Sequence, residues 1–170
     1  MADEIINRVA NSKLITFNLE EYYPEGKRVS FDISTWLLEG FVLREKVFRE
    51  EAKKHDWSQY QDCFVALNCS TEAIIPAWAY MLLATYLQPY AKKVISGSLK
   101  DLETIIYTEV IQNLELSNLK DKPVIVKGCS NKPVPENAYI LLINKLQPIA
   151  KSIMYGEACS SVPLYKKKTN

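Results

Sequence analysis

The second half of this chain repeats the first, and that repeat limits the folds open to it. A displacement of 59 residues lays residues 76–97 on residues 135–156, and eleven of the 22 aligned positions are identical. The pairs include Pro76/Pro135, Ala79/Ala138, Tyr80/Tyr139, Leu83/Leu142 and Gly97/Gly156, and a shared Leu-Gln-Pro-x-Ala-Lys run. Upstream, Phe48 meets Tyr107, Ser58 meets Ser117 and Asp62 meets Asp121. After one inserted residue, Cys69-Ser70 meets Cys129-Ser130. Two unrelated helices of similar composition do not share such a run, so the pattern is read as a duplication with copies at about 44–97 and 103–156. Two copies make a pseudo-symmetric domain; a solenoid needs three or more.

Each copy reads as helix, strand, helix, strand. Residues 44–55 are charged with Val47, Phe48 and Ala52 on one face, the signature of an amphipathic helix. Residues 64–67 and 124–126 are short continuous apolar runs of the kind found in buried parallel strands. Helices are expected over 72–87, 99–114 and 135–146, and strands over 94–95 and 153–155. Ahead of the repeat, residues 14–19 and 28–32 read as strands around a Tyr23-Pro24-Glu25-Gly26 turn. Strands joined through helices point to the α/β class, with a mainly parallel sheet and right-handed crossovers. At 170 residues, with 48% hydrophobic and 24% charged positions, a single domain spanning residues 1–170 is expected.

Charge and terminal signals narrow the setting. A net charge of +1 provides no broad field for nucleic acid or an anionic membrane, so neither is expected as a partner. The Lys166-Lys167-Lys168 run reads as a solvated, frayed end. Met1-Ala-Asp-Glu lacks the basic and apolar regions of a secretory signal, and the apolar stretch 73–87 is too short to span a bilayer. The cytoplasm is therefore the expected compartment, and the four cysteines are expected as thiols.

Three Cys-Ser dipeptides, Cys69-Ser70, Cys129-Ser130 and Cys159-Ser160, each follow an expected strand. In one parallel sheet, strand C-termini share the edge where α/β proteins bind ligands, so the three thiols are expected to converge there. Cys69 and Cys129 also precede expected helices, whose N-termini favour the thiolate. Cys63 lies six residues before Cys69, roughly 20 Å away at about 3.3 Å per residue, and reads as a buried small hydrophobe. His55, the only histidine, falls on the same far edge, which disfavours a Cys–His nucleophile. Asp32, closing the second strand, reaches the favourable edge, and Lys132 adds a cation near it. Their plain roles are a turn or cap and a solvated loop lysine.

Known cysteine motifs are absent. The sequence has no Cys-x-x-Cys, no arginine six residues after a cysteine, and no G-x-G-x-x-G or Walker run among its five glycines. Three converging thiols would suit an open zinc or iron site, or a persulfide-carrying or redox thiol. The alternative is that the cysteines fill strand-end turns. Helix 72–87 is apolar on more than one side, where its repeat carries Glu136, Asn137, Asn144 and Lys145. Burial on two sides or a homodimer interface would account for it.

Five segments are distinctive: Asp56-Trp-Ser-Gln-Tyr-Gln-Asp, Ala73-Ile-Ile-Pro-Ala-Trp-Ala-Tyr-Met-Leu, Leu87-Gln-Pro-Tyr-Ala-Lys-Lys-Val, Lys127-Gly-Cys-Ser-Asn-Lys-Pro-Val-Pro and Ala150-Lys-Ser-Ile-Met-Tyr-Gly-Glu. Through them nearly the whole chain resembles the bacterial domain-of-unknown-function family numbered 2480. That resemblance supplies no catalytic residues. It implies an iron–sulfur assembly context, with assembly proteins as partners and a sulfur or metal role for Cys69, Cys129 and Cys159. The leading expectation is thus a metal-binding or sulfur-handling accessory protein. The alternative is a non-catalytic homodimeric interaction protein with structural cysteines. A small-molecule enzyme using Asp32 and a thiolate is a third reading, with no identifiable base.

Overall fold

A computed structural model describes residues 14–128 and 131–168. The elements in chain order are β1 (Ile15–Phe17), β2 (Arg28–Asp32), α1 (Glu45–Lys54), β3 (Phe64–Asn68), α2 (Ala77–Leu87), β4 (Lys93–Ser96), α3 (Leu99–Gln112), β5 (Pro123–Val126), α4 (Glu136–Leu146), β6 (Ser152–Glu157) and β7 (Ser160–Lys166). Short 3-10 turns precede the two central strands, at Trp57–Tyr60 and Ser117–Leu119. The α/β class and the dominance of parallel pairing are as the sequence implies.

The strands form two sheets, not the one expected. One has the order β2-β3-β4, all parallel; the other has the order β1-β5-β6-β7, parallel except for the β6–β7 hairpin. Residues 44–97 and residues 103–156 each supply two strands, β3 with β4 and β5 with β6, and each pair takes a third from the residues ahead of α1. β2 lies on β3, with Arg28 opposite Phe64, and β1 lies on β5, with Ile15 opposite Val124. The chain accordingly divides into two compact units, residues 24–105 and residues 1–23 with 106–170.

In unit 24–105 the core gathers Phe31, Ile33, Phe48, Ala52, Trp57, Val65, Leu67, Ala79, Leu83 and Leu87. In the other it gathers Phe17, Leu19, Tyr107, Ile111, Leu119, Val124, Val126, Ala138, Leu142, Leu146 and Ile153. The helical spacing i, i+4, i+8 places Ala79, Leu83 and Leu87 in one buried row, and Ala138, Leu142 and Leu146 do the same in α4. α2 starts at Ala77, not at residue 72, because Pro76 holds the extended conformation that caps it and disfavours helix just before it.

Local geometry also corresponds between the units at a displacement of 59. Asp62 and Asp121 both take positive φ, 59° and 54°, in the turn before the central strand. Their N–H groups donate to Tyr90 and Ile149 carbonyls at 2.9 and 2.8 Å. The counterparts Lys92 and Lys151 likewise donate their N–H groups to the Cys63 and Lys122 carbonyls at 2.8 and 2.9 Å.

One difference from the sequence reading and one difference between the units have clear causes. The Lys166–Lys168 segment is not frayed: β7 runs to Lys166, and Lys167 continues the ladder with its N–H on the Lys151 carbonyl at 2.9 Å. Where α2 has Tyr86, stacked on Trp57 with ring centroids 5.4 Å apart, α4 has Lys145. Its Nζ donates to the carbonyls of Ile111, Gln112 and Leu114 at 3.0, 3.0 and 2.9 Å, at and just past the end of α3, where carbonyls run out of helical N–H partners. Lys145→Met keeps the aliphatic stem and removes this cap. A loss of about 1–3 kcal/mol is expected, measured as a lower urea midpoint with an unchanged slope.

Candidate functional site

In unit 24–105, parallel pairing puts Asp32 beside Asn68 at the C-terminal ends of β2 and β3. Asp32 caps the 3-10 turn Ile33–Trp36, accepting the Ser34 N–H at 3.0 Å. The chain leaving β3 returns to the same carboxylate. Ser70 donates its N–H to Oδ1 at 3.0 Å and its Oγ–H to Oδ2 at 2.6 Å. The hydroxyls of Ser34 and Ser70 stand 2.9 Å apart. Next to them the Cys69 Sγ lies 3.3 Å from Thr71 Oγ1, which donates to the Gly40 carbonyl at 2.5 Å.

Three of the residues singled out in the sequence, Asp32, Cys69 and Ser70, therefore meet at one edge. Burial pushes the Asp32 carboxyl up, but hydrogen bonds from Ser70 and Ser34, side chain and backbone, outweigh it and hold it at about 2. Such a carboxylate is a weak base near neutral pH. Its chemistry here is that of a fixed acceptor, tying the 3-10 turn to the loop that carries Cys69. The same edge raises the Tyr80 hydroxyl through burial and the nearby Cys69, against a hydrogen bond with Ser96. Cys69 does not stand at a helix entrance: α2 begins eight residues later, and a helix terminus acts only over its first turn.

The other unit uses the same device with different residues. Asn18 caps the 3-10 turn Leu19–Tyr22 by accepting the Glu20 N–H at 3.1 Å. Glu20 then accepts the N–H groups of Asn131 and of Lys132, the latter at 2.7 Å. The Lys132 ammonium lies 5.0 Å from the centre of the Tyr23 ring, so this lysine packs on an aromatic face. Cys129 and Ser130 lie outside the described residues. Cys159 is exposed at the β6–β7 turn and belongs to this unit, whereas Cys69 belongs to the other. Because β3 and β6 lie in different sheets, Cys69 and Cys159 do not share the single sheet edge expected of them. No group of three or more His, Cys, Asp or Glu side chains among the described residues is placed to hold a metal ion.

Cys63 is a buried core residue, as its strand position implied. His55 caps the C-terminus of α1, and its ring stacks on Tyr60 and meets Phe31, Trp36 and Trp57 edge-on. Burial lowers its pKa, opposed by the Asp56 carboxylate. It is committed to this aromatic cluster rather than to a thiol.

A second surface was not anticipated from the sequence. Leu38 and Val42 pair across a three-residue loop through bonds of 2.9 and 3.1 Å, and within it Glu39 and Gly40 take positive φ. The hairpin pushes Phe41 outward, 59% exposed, next to a groove of about 600 Å3 whose lining includes Val42, Leu43, Ile74, Pro76 and Trp78. Ile74 is 92% exposed, and Met81 on α2 is 68% exposed. The legible signal was a pair of apolar residues flanking Glu-Gly.

The chain belongs to the DUF2480 family of proteins of unknown function, whose model matches residues 3–167. No curated protein and no solved structure matches it.

The Asp32 tie has a testable pH signature. Its folded pKa of about 2 lies below the ordinary 3.8, so its contribution is complete above the unfolded value and is lost as pH falls through about 2. Asp32→Ala should cost about 1–2 kcal/mol at neutral pH. The gap from the wild-type protein should narrow between about pH 4 and pH 2, as followed by urea unfolding across that range.

Proposed function

We propose that this DUF2480 member is a non-catalytic interaction protein that pairs with a second copy through the apolar surface of α2 and the 38–42 hairpin. The observation that carries this reading is the exposure of Phe41, Val42, Ile74 and Met81 within unit 24–105. Large apolar side chains gathered beside a groove mark association surfaces, whereas singly scattered ones do not. α2 buries one row in its own core and leaves Met81 outside it. In this reading Asp32, Ser34 and Ser70 are the rigid corner beneath the surface, and Cys69 fills that corner.

Light scattering on the purified chain should give twice the chain mass. Ile74→Asp combined with Met81→Asp should give the single-chain mass, with unchanged far-ultraviolet circular dichroism. A wild-type protein that remains monomeric up to its solubility limit would exclude the dimer.

A second reading, a metal-binding or sulfur-handling accessory using Cys69, Cys129 and Cys159, is favoured by the accessibility of two of these thiols. Cys69 is half-buried and Cys159 exposed, unlike Cys63. Zinc or iron and an iron–sulfur assembly setting belong to this reading. Anaerobically purified protein should then carry stoichiometric zinc or iron, or a rapidly alkylated thiol, and Cys69→Ser/Cys129→Ser/Cys159→Ser should lose it. Metal-free protein whose thiols alkylate no faster than a free cysteine would remove this reading.

A further inference from the structure

From the position of β7 we infer that the N-terminal edge of the β5-β6-β7 sheet is a basic surface that binds anionic phospholipid bilayers. The net charge of +1 hides how the charges are placed. Salt screens charges over about 8–10 Å, so recruitment depends on the local cluster and not on the sum over the chain. β7 lies antiparallel to β6 and brings the end of the described chain back to the point where β5 and β6 begin.

The backbone ladder fixes the row. Lys151 donates its N–H to the Lys122 carbonyl, and Lys167 donates its N–H to the Lys151 carbonyl, both at 2.9 Å. These lysines stand at one level on three neighbouring strands, spaced about 4.8 Å apart. Lys120, Lys166 and Lys168 adjoin them in sequence, and all six are exposed. One carboxylate falls within the row, Asp121, paired with Lys167 at 3.0 Å. No ion pair to the other five forms among the described residues. Like charges opposite each other weaken a sheet, so the fold itself gains nothing from the row. In the other unit the positions matching Lys122 and Lys120 are Cys63 and Gln61, and Lys92 there donates to the Glu25 carbonyl.

The charged residues of the cluster are lysines, without the arginine forks that nucleic-acid surfaces use, and the adjoining Tyr165 packs against the core. The same strand also exposes Val162 and Leu164, at 58% and 52%. Leu164 stands two residues from Lys166, and lysines beside an exposed apolar side chain match an anionic lipid surface, where charge brings the protein in and apolar groups enter the interface.

The test is co-sedimentation of the full chain with vesicles of phosphatidylcholine, alone or with one-third phosphatidylserine. Binding is expected only to the phosphatidylserine vesicles, and it should fall steeply with added salt. Each lysine lost should weaken it about fivefold, so Lys120→Gln/Lys122→Gln/Lys151→Gln should lower it about a hundredfold. The control Lys46→Gln/Lys53→Gln/Lys54→Gln, with the same charge change in unit 24–105, should change it less than twofold. The single variant Lys122→Gln provides a reading if the triple variant does not fold. Equal affinity for both vesicle types, an equal loss in the control, or no binding overturns the proposal. So does binding to a duplex oligonucleotide without binding to vesicles.

Discussion

Each unit is organised around one strand that is buried on both faces. In β3, Val65, Ala66 and Leu67 are at most 1% exposed, and the same holds for Val124, Ile125 and Val126 in β5. A parallel strand buried in this way must have hydrogen-bond partners along both edges and helices over its faces. β4 and β6 supply one edge through a helical crossover. The other edge has to be supplied from elsewhere, and the residues ahead of α1 do so with β1 and β2. The positive φ at Asp62 and Asp121, the caps at Pro76 and Pro135, and the acidic ties from Asp32 and Glu20 all set the chain entering or leaving that strand.

Much of this was legible because periodicity and turn chemistry coincide. Arg28–Asp32, 64–68 and 136–146 have the expected patterns, with boundaries set by Asp, by the apolar run and by proline. The number of sheets was not legible. Alternation of strands and helices specifies parallel pairing but not which strand each early segment joins. β7 was missed because Pro163 and the lysine run both argue against a strand, yet an edge strand tolerates each of them.

At the candidate site, the meeting of Asp32 with Ser70 follows from strand ends sharing an edge, which the sequence shows. What Asp32 does there depends on how many donors reach it. Those donors come from two loops, and sequence spacing does not encode their arrangement. The exposure of Phe41 and Ile74 was hidden for the opposite reason. Apolar residues are expected inside, and only the Glu39-Gly40 turn hints that Phe41 faces out; no comparable signal marks Ile74.

The pairing of Ile15 with Val124 has a further consequence, in time rather than space. Residues 24–105 are contiguous, so that unit has all its strands once residue 105 has been synthesised. The other unit must keep its first strand open until β5 arrives more than a hundred residues later, and closing so long a loop is entropically costly and slow. During synthesis the early strand waits with its hydrogen-bonding edge unfilled. The order of translation thus makes residues 24–105 the first to become stable, and leaves β1 as the segment most exposed to mispairing before the chain is finished.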